Sequence, residues 1–247
     1  MLQTRLLMGM PITIEIVGSN VSEDIFDEIF HYFDWVEKKF SIYKADSEIV
    51  KINRGEIKKE DYTPEMKEVF ELSEETKKAT KGYFDIEYQA GQYDPSGLVK
   101  GWAIYKASQI LKNKGYENFY VEAGGDVQVC GKNKESQDWQ IGIRNPFKQE
   151  EIIKVVALSG LGMATSGTYV RGQHIYNPYQ KEEPILEIVS LTVIGSDVYE
   201  ADRFATAVFA MGKEGIKFIE KLPNLEGYMI DKDGIAIMTS GFNKYVV

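Results

Sequence analysis

"NFYVEAGGDVQVCG", residues 118–131, is where the chain changes character. Two short β-type runs, 118–123 and 127–130, flank Gly124 and Gly125, a pair suited to a tight turn, to positive φ or to close backbone approach. Downstream the pattern is of strands at 139–144, 152–158, about 168–176 and about 189–195. Upstream, helices dominate. Asn20 with Glu23 three residues on predicts a cap for a helix carrying Ile25, Ile29, Phe33, Val36 and Phe40. Thr63 and Pro64 open a second helix that stops near Gly82, and a third begins within 94–115. A strand at 11–17 precedes all three, residues 44–62 read as a loop with at most short structure, and a further helix runs from about 199 to Lys221. The Asp-Gly of "DKDG" between "EGYMID" and "IAIMTS" predicts a closing hairpin. Helices and strands mixed without a strict βαβ rhythm indicate an α+β fold with largely antiparallel strands. At 247 residues the chain fits one domain over 1–247, or two closely packed lobes.

Composition narrows the function classes. Apolar residues at 43% and charged residues at 27% are ordinary globular values. A net charge of −9 argues against a nucleic-acid partner, since such binding draws its affinity from neutralising phosphates with Lys and Arg. The single cysteine, Cys130, forms no intrachain disulfide, and no zinc spacing of Cys and His exists. No apolar run approaches the roughly 20 residues of a membrane helix. The first residues lack the features of a signal peptide, so the sequence as written is expected to be soluble and cytoplasmic; a chain already relieved of an export leader, and acting outside the cytoplasm at a membrane, would read the same.

Four segments are too rich in Gly, hydroxyl and charged residues for packing alone. In "YEADRFATAVFAMG" (199–212), Asp202 stands four residues ahead of Thr206, which on a helix stacks both oxygen-bearing side chains on one face. Such a pair either caps and back-bonds the helix or serves a hard cation such as Mg²⁺, which takes oxygen ligands, few of them from protein. In "YDPSGLVKGWA" (93–103), Asp94 and Lys100 bracket Ser96 and Gly97 where a helix starts, an arrangement that either caps the helix or receives an anion. The glycines of "EAGGDV" form the third segment. In "GMATSGTYVRGQHIYNP" (162–178), Thr165, Ser166, Arg171 and His174 fall within ten residues; the group suits phosphate contact, with His174 as a general base or as a structural histidine. His31 sits within the apolar pattern of the first helix and reads as structural.

Taken in order with "MGM", "ITIEI", "FSIYKADSEIVKIN" and "GYFDI", these segments resemble the FAD:protein FMN transferases, the ApbE-type flavin transferases, over about residues 8–240. The resemblance implies a Mg²⁺-dependent enzyme that binds FAD and passes its FMN half to a Thr or Ser hydroxyl of an acceptor redox protein subunit, releasing AMP. It implies metal ligation by Asp202 and Thr206, with backbone oxygens near Gly97 and Ala205. FAD contacts would fall near Met8, Tyr43, Phe84, Asp94, Lys100 and Tyr176, and His174 matches the base. Two other functions use the same residues: a Mg²⁺-dependent pyrophosphatase splitting FAD into FMN and AMP, and a flavin-binding protein without catalysis.

Overall fold

A computed structural model describes residues 1–148, 150–167, 175–181 and 183–247. In chain order the elements are β1 (Leu2–Leu7), β2 (Met10–Ile16), α1 (Glu23–Phe40), α2 (Glu48–Asn53), α3 (Pro64–Ala79), β3 (Glu87–Gln89), β4 (Gln92–Tyr93) and α4 (Ser96–Asn113). There follow β5 (Phe119–Ala123), β6 (Asp126–Cys130), β7 (Trp139–Arg144), β8 (Ile152–Leu158), β9 (Gly162–Gly167), β10 (Ile188–Gly195), α5 (Val198–Ala210), α6 (Gly215–Ile219), β11 (Glu226–Asp231) and β12 (Ala236–Met238). Eight strands form one sheet in the order β1-β2-β5-β6-β9-β10-β11-β12, and every neighbouring pair in it is antiparallel. The α+β reading of the sequence holds.

Alternation on the strands decides what each sheet face meets. Ile12, Ile14 and Ile16 of β2 and Phe119, Val121 and Ala123 of β5 point to one face and pack with Phe26, Ile29, Phe30 and Phe33 of α1 and with α4. On the same face, farther along the sheet, Leu191 and Val193 of β10 pack against Phe204, Ala205, Val208 and Phe209 of α5. The opposite face is covered only in part. There the separate β7–β8 hairpin lays Trp139, Ile141 and Ile143 over Val127, Val129, Met163 and Ile194.

Several local expectations change. The α1 cap is Ser22, whose side chain accepts from Asp24 N–H, in place of Asn20. His31 is exposed on α1, its Nδ1 2.7 Å from the Asp27 carbonyl, and takes no part in the apolar face. Strand β1 carried no clear alternation and went unread; antiparallel pairing with β2 forms it. The expected strand at about 168–176 falls mostly outside the described residues, Ile175 and Tyr176 are not in a strand, and the strand here is β9 at 162–167. The helix expected to reach Lys221 ends at Ala210, because Gly212 takes φ +64° and breaks it before α6.

Candidate active site

The junction of α4 and α5 is built on close approach. The two helices run antiparallel, Gly97 facing Thr206 and Gly101 facing Asp202. A Cβ at Gly101 would stand 2.6 Å from Asp202 Cβ, so only glycine admits this packing. The Gly101 N–H donates to Asp202 Oδ2 at 2.8 Å, and the Thr206 hydroxyl donates to the Gly97 carbonyl at 3.3 Å. The α5 cap is Asp197, which accepts from Glu200 N–H; Asp202 lies further in and Thr206 bonds across to α4, so neither plays the capping or back-bonding part.

Lys100, one residue before Gly101, reaches between two buried acids. Its ammonium is 2.6 Å from Asp126 Oδ2 and 3.9 Å from Asp202 Oδ1. Asp126 starts β6, is fully buried, and accepts the Thr165 N–H through Oδ1 at 3.0 Å. Burial drives the Asp202 carboxyl above the usual carboxylate range; Lys100 and the Gly101 N–H oppose the rise, and Asp126 adds to it. A buried acid short of counter-charge, flanked by a hydroxyl and a carbonyl oxygen, is a donor set suited to a hard divalent cation.

Above this floor opens a cleft of about 870 Å³, within the range of ligand sites. Its walls include Gly9 from the β1–β2 turn and Met10 at the start of β2, Glu122 from β5 with Gly124 and Gly125 from the β5–β6 turn, and Gly142 and Arg144 from β7. Gly124 and Gly125 take φ +60° and +97°, so the predicted turn and the cleft wall are one feature. Tyr83, Phe84, Tyr88 and Tyr176 form an aromatic side. Tyr176 donates to the Asp85 carbonyl at 3.0 Å, and its phenol is pushed up to about 12 by burial and by Asp85 and Asp94. Pro95 holds the cap position of α4, and Asp94 Oδ1, one residue before it, accepts the N–H of Ser96, the first helical residue, at 2.9 Å while lining the cleft.

Of the residues singled out from sequence, Phe84, Asp94, Gly97, Lys100, Tyr176, Asp202 and Thr206 line this one cleft. Met8, at φ +53° in the β1–β2 turn, Tyr43, which is 91% exposed, and Ala205, fully buried within α5, do not line it. His174 and Arg171 lie outside the described residues. Asp126, Glu122 and Arg144 were not singled out; the first two sat inside "EAGGDV", whose acids the glycine reading passed over. Among the described residues no three His, Cys, Asp or Glu side chains gather as a metal cluster, and no helix is long and apolar enough to cross a membrane.

The family model for ApbE matches residues 8–92 and 87–229. The chain belongs to the ApbE family. It is 31% identical over 156 residues to the FAD:protein FMN transferase of Escherichia coli K12, covering 59% of this chain and 44% of that protein. With the Vibrio cholerae protein of the same name it shares 29% over 161 residues, 62% of this chain and 47% of that one. The chain thus spans about half the length of the relatives it matches. Among solved structures, the flavin transferase ApbE of Vibrio cholerae superposes with a TM-score of 0.87 at 22% identity, covering 99% of this chain and 98% of that one. The ApbE protein of Thermotoga maritima gives 0.88 at 23%, with the same coverage. These two likenesses establish the ApbE fold.

Proposed function

We propose that this ApbE-family chain is a Mg²⁺-dependent FAD:protein FMN transferase. The observation that carries the reading is the convergence of Asp202, Thr206 and the Gly97 carbonyl beside Lys100 at the floor of a cleft with one aromatic wall. Family membership and the names of the relatives support it.

On this reading FAD lies in the cleft with its pyrophosphate toward Lys100 and the start of α4, and Phe84, Asp94 and Tyr176 contact the rest of it. Asp202, Thr206 and the Gly97 carbonyl would hold the metal. Mg²⁺ bound there would offset the charge of the phosphates without proton transfer. A Ser or Thr hydroxyl of an acceptor redox subunit attacks the phosphorus on the FMN side. The bond from that phosphorus to the bridging oxygen breaks, and AMP leaves with the oxygen. His174 takes the hydroxyl proton, a task suited to a group whose ordinary pKa is about 6.5. Glycine at 97 and 101 sets the helix separation on which this metal geometry depends.

The test is incubation with FAD, Mg²⁺ and candidate redox subunits, with mass spectrometry of the subunits. A mass gain of one FMN unit with equimolar AMP is expected. AMP and FMN appearing together, with every subunit unchanged, would make the chain a pyrophosphatase.

A further inference from the structure

Strand β7 has one partner strand among the described residues, β8. Which β7 groups that pairing uses follows from hydrogen bonds within β8 and just before it. Val156 forms an isolated antiparallel bridge to Val246, and the bond that makes it runs from Val247 N–H to the Val155 carbonyl at 3.2 Å. Val155 therefore bonds away from β7, and Val156 bonds toward it, because alternate residues of an antiparallel strand turn their N–H and C=O to opposite sides. Val156 is paired with Ile141, so Trp139, Ile141 and Ile143 exchange bonds with β8. At the other end Asn145 N–H donates to the Glu151 carbonyl at 2.8 Å, which keeps the same parity through the irregularity at Ile143/Arg144. Gln140, Gly142 and Arg144 are left directing their N–H and C=O groups to the other edge, which has no partner strand among the described residues.

All three residues are exposed, and Gly142 and Arg144 also line the cleft. Beside this edge the sheet is only partly covered among the described residues. The hairpin covers β6, β9 and β10 and reaches β5 where Trp139 packs on the Tyr120 ring, whereas the other outward residues of β2 and β5, namely Thr13, Glu15 and Glu122, lie half-buried with no strand or helix laid across them among the described residues. The platform is polar. An open edge above a polar platform that runs into a cleft has the form of a site for one added strand.

We propose that the free edge of β7 is the docking site of the acceptor: an extended segment of the acceptor protein pairs with the backbone of Gln140, Gly142 and Arg144, lies over the outer faces of β2 and β5, and carries its Ser or Thr hydroxyl into the cleft past Glu122. This rests on the transferase reading, since a pyrophosphatase needs no acceptor. The occupant is a strand because what the edge offers is main-chain donors and acceptors at alternate residues. It belongs to the acceptor because the edge leads to the cleft at Gly142 and Arg144. Recognition through main-chain bonds fixes the depth to which the hydroxyl enters, and leaves side-chain selection to Arg144 and Glu122.

The test uses peptides tiled across a subunit that gains FMN, each containing the modified Ser or Thr, and versions N-methylated at single backbone positions. Peptides should be labelled, and N-methylation should weaken kcat/KM about two- to tenfold at alternate positions and little at those between, the scale of one net hydrogen bond. In the protein, Gln140→Pro removes one outward N–H without touching the ladder to β8. It should raise the KM for the acceptor by a similar factor, with FAD affinity unchanged and Gln140→Ala neutral. A labelled subunit whose peptides are all inert, or peptides whose N-methylation shows no alternation, would overturn the docking mode and leave the transferase reading standing. If no subunit gains FMN while FAD is hydrolysed, the transferase reading fails and the docking site with it.

Discussion

At the floor of the cleft Asp126 and Asp202 are buried and share Lys100, whereas at its rim Glu122 is half-buried, Arg144 is exposed, and no ion pair joins those two. The floor is held by contacts between elements far apart in sequence: α4 to α5, α4 to β6, and β6 to β9. The rim is a turn, whose Gly124 and Gly125 N–H groups bond to the Pro11 carbonyl and the Glu122 carboxylate, and a strand edge with no partner strand among the described residues. A site that must hold phosphates and a cation needs charges fixed in a dry place, where they act strongly and do not reorganise. A site that must admit another protein needs edges still unsatisfied. On the proposed transferase reading, the difference suits the floor to the donor and the rim to the acceptor.

The largest effect is expected from Asp202→Ala, which deletes the one anionic ligand proposed. Mg²⁺-dependent turnover should fall about 10³-fold, as for the loss of several kcal/mol of charge stabilisation. The Mg²⁺-induced rise in melting temperature should vanish with it. Normal turnover of this variant at limiting Mg²⁺ would remove the metal from the floor.

Asp126→Asn leaves the Lys100 ammonium without its nearest counter-charge. Breaking a buried pair costs about 3–5 kcal/mol, and because the Lys100 side chain keeps 18% of its exposure the low end, about 3 kcal/mol, is expected in urea unfolding. A loss below about 1 kcal/mol, the scale of surface pairs, would mean that the floor is wet like the rim.

Gly101→Ala should cost about 1–3 kcal/mol by overpacking and weaken Mg²⁺ binding, because its Cβ meets the backbone and Cβ of α5. Gly97→Ala should cost less. There the nearest atom is a Thr206 methyl at 3.1 Å, which can shift by a few tenths of an ångström. Calorimetric Mg²⁺ titration of the two variants orders them.

The smallest effect belongs to the rim. Burial raises the Glu122 carboxyl, with Asp126 adding to the rise and the Gly125 N–H and Arg144 opposing it. Its folded pKa thus lies above the unfolded one, so the stability it contributes is complete below the unfolded value and is lost as pH rises through the folded value. Glu122→Gln should therefore stabilise the protein by about 0.5 kcal/mol at neutral pH and by nothing at acid pH. Melting curves across pH 3–8 would show it; a gain that is constant with pH would place Glu122 in water.

Legibility in the sequence followed the range of the interactions. Ile12, Ile14 and Ile16 announced β2, and the caps of α3 and the apolar spacing of α1 were readable, because each depends on neighbours a few residues away. β1 was not readable, since its outward Leu2 and Leu6 break the usual polar pattern and only pairing with β2 makes it a strand. The Asp-Gly hairpin of β11 and β12 was local and was found. The break at Gly212 also had a local signal, but the apolar run beyond it read as one continuous helix.

For the site, sequence alone placed Asp202 and Thr206 on one helical face, since a spacing of four is fixed by helix geometry. It also grouped Asp94, Gly97 and Lys100 at one helix start. Whether Asp202 capped a helix or faced another was decided only by tertiary structure, through the Gly97 and Gly101 contacts that bring α4 against α5. The same holds for Asp126: nothing within "EAGGDV" tells that a lysine 26 positions earlier will meet it, because that pairing exists only once α4 packs on the sheet against β6. The open edge of β7 lay further still from the sequence. Alternation gives the faces of a strand, whereas its bonded side depends on register with a partner, and that register is a property of the folded hairpin.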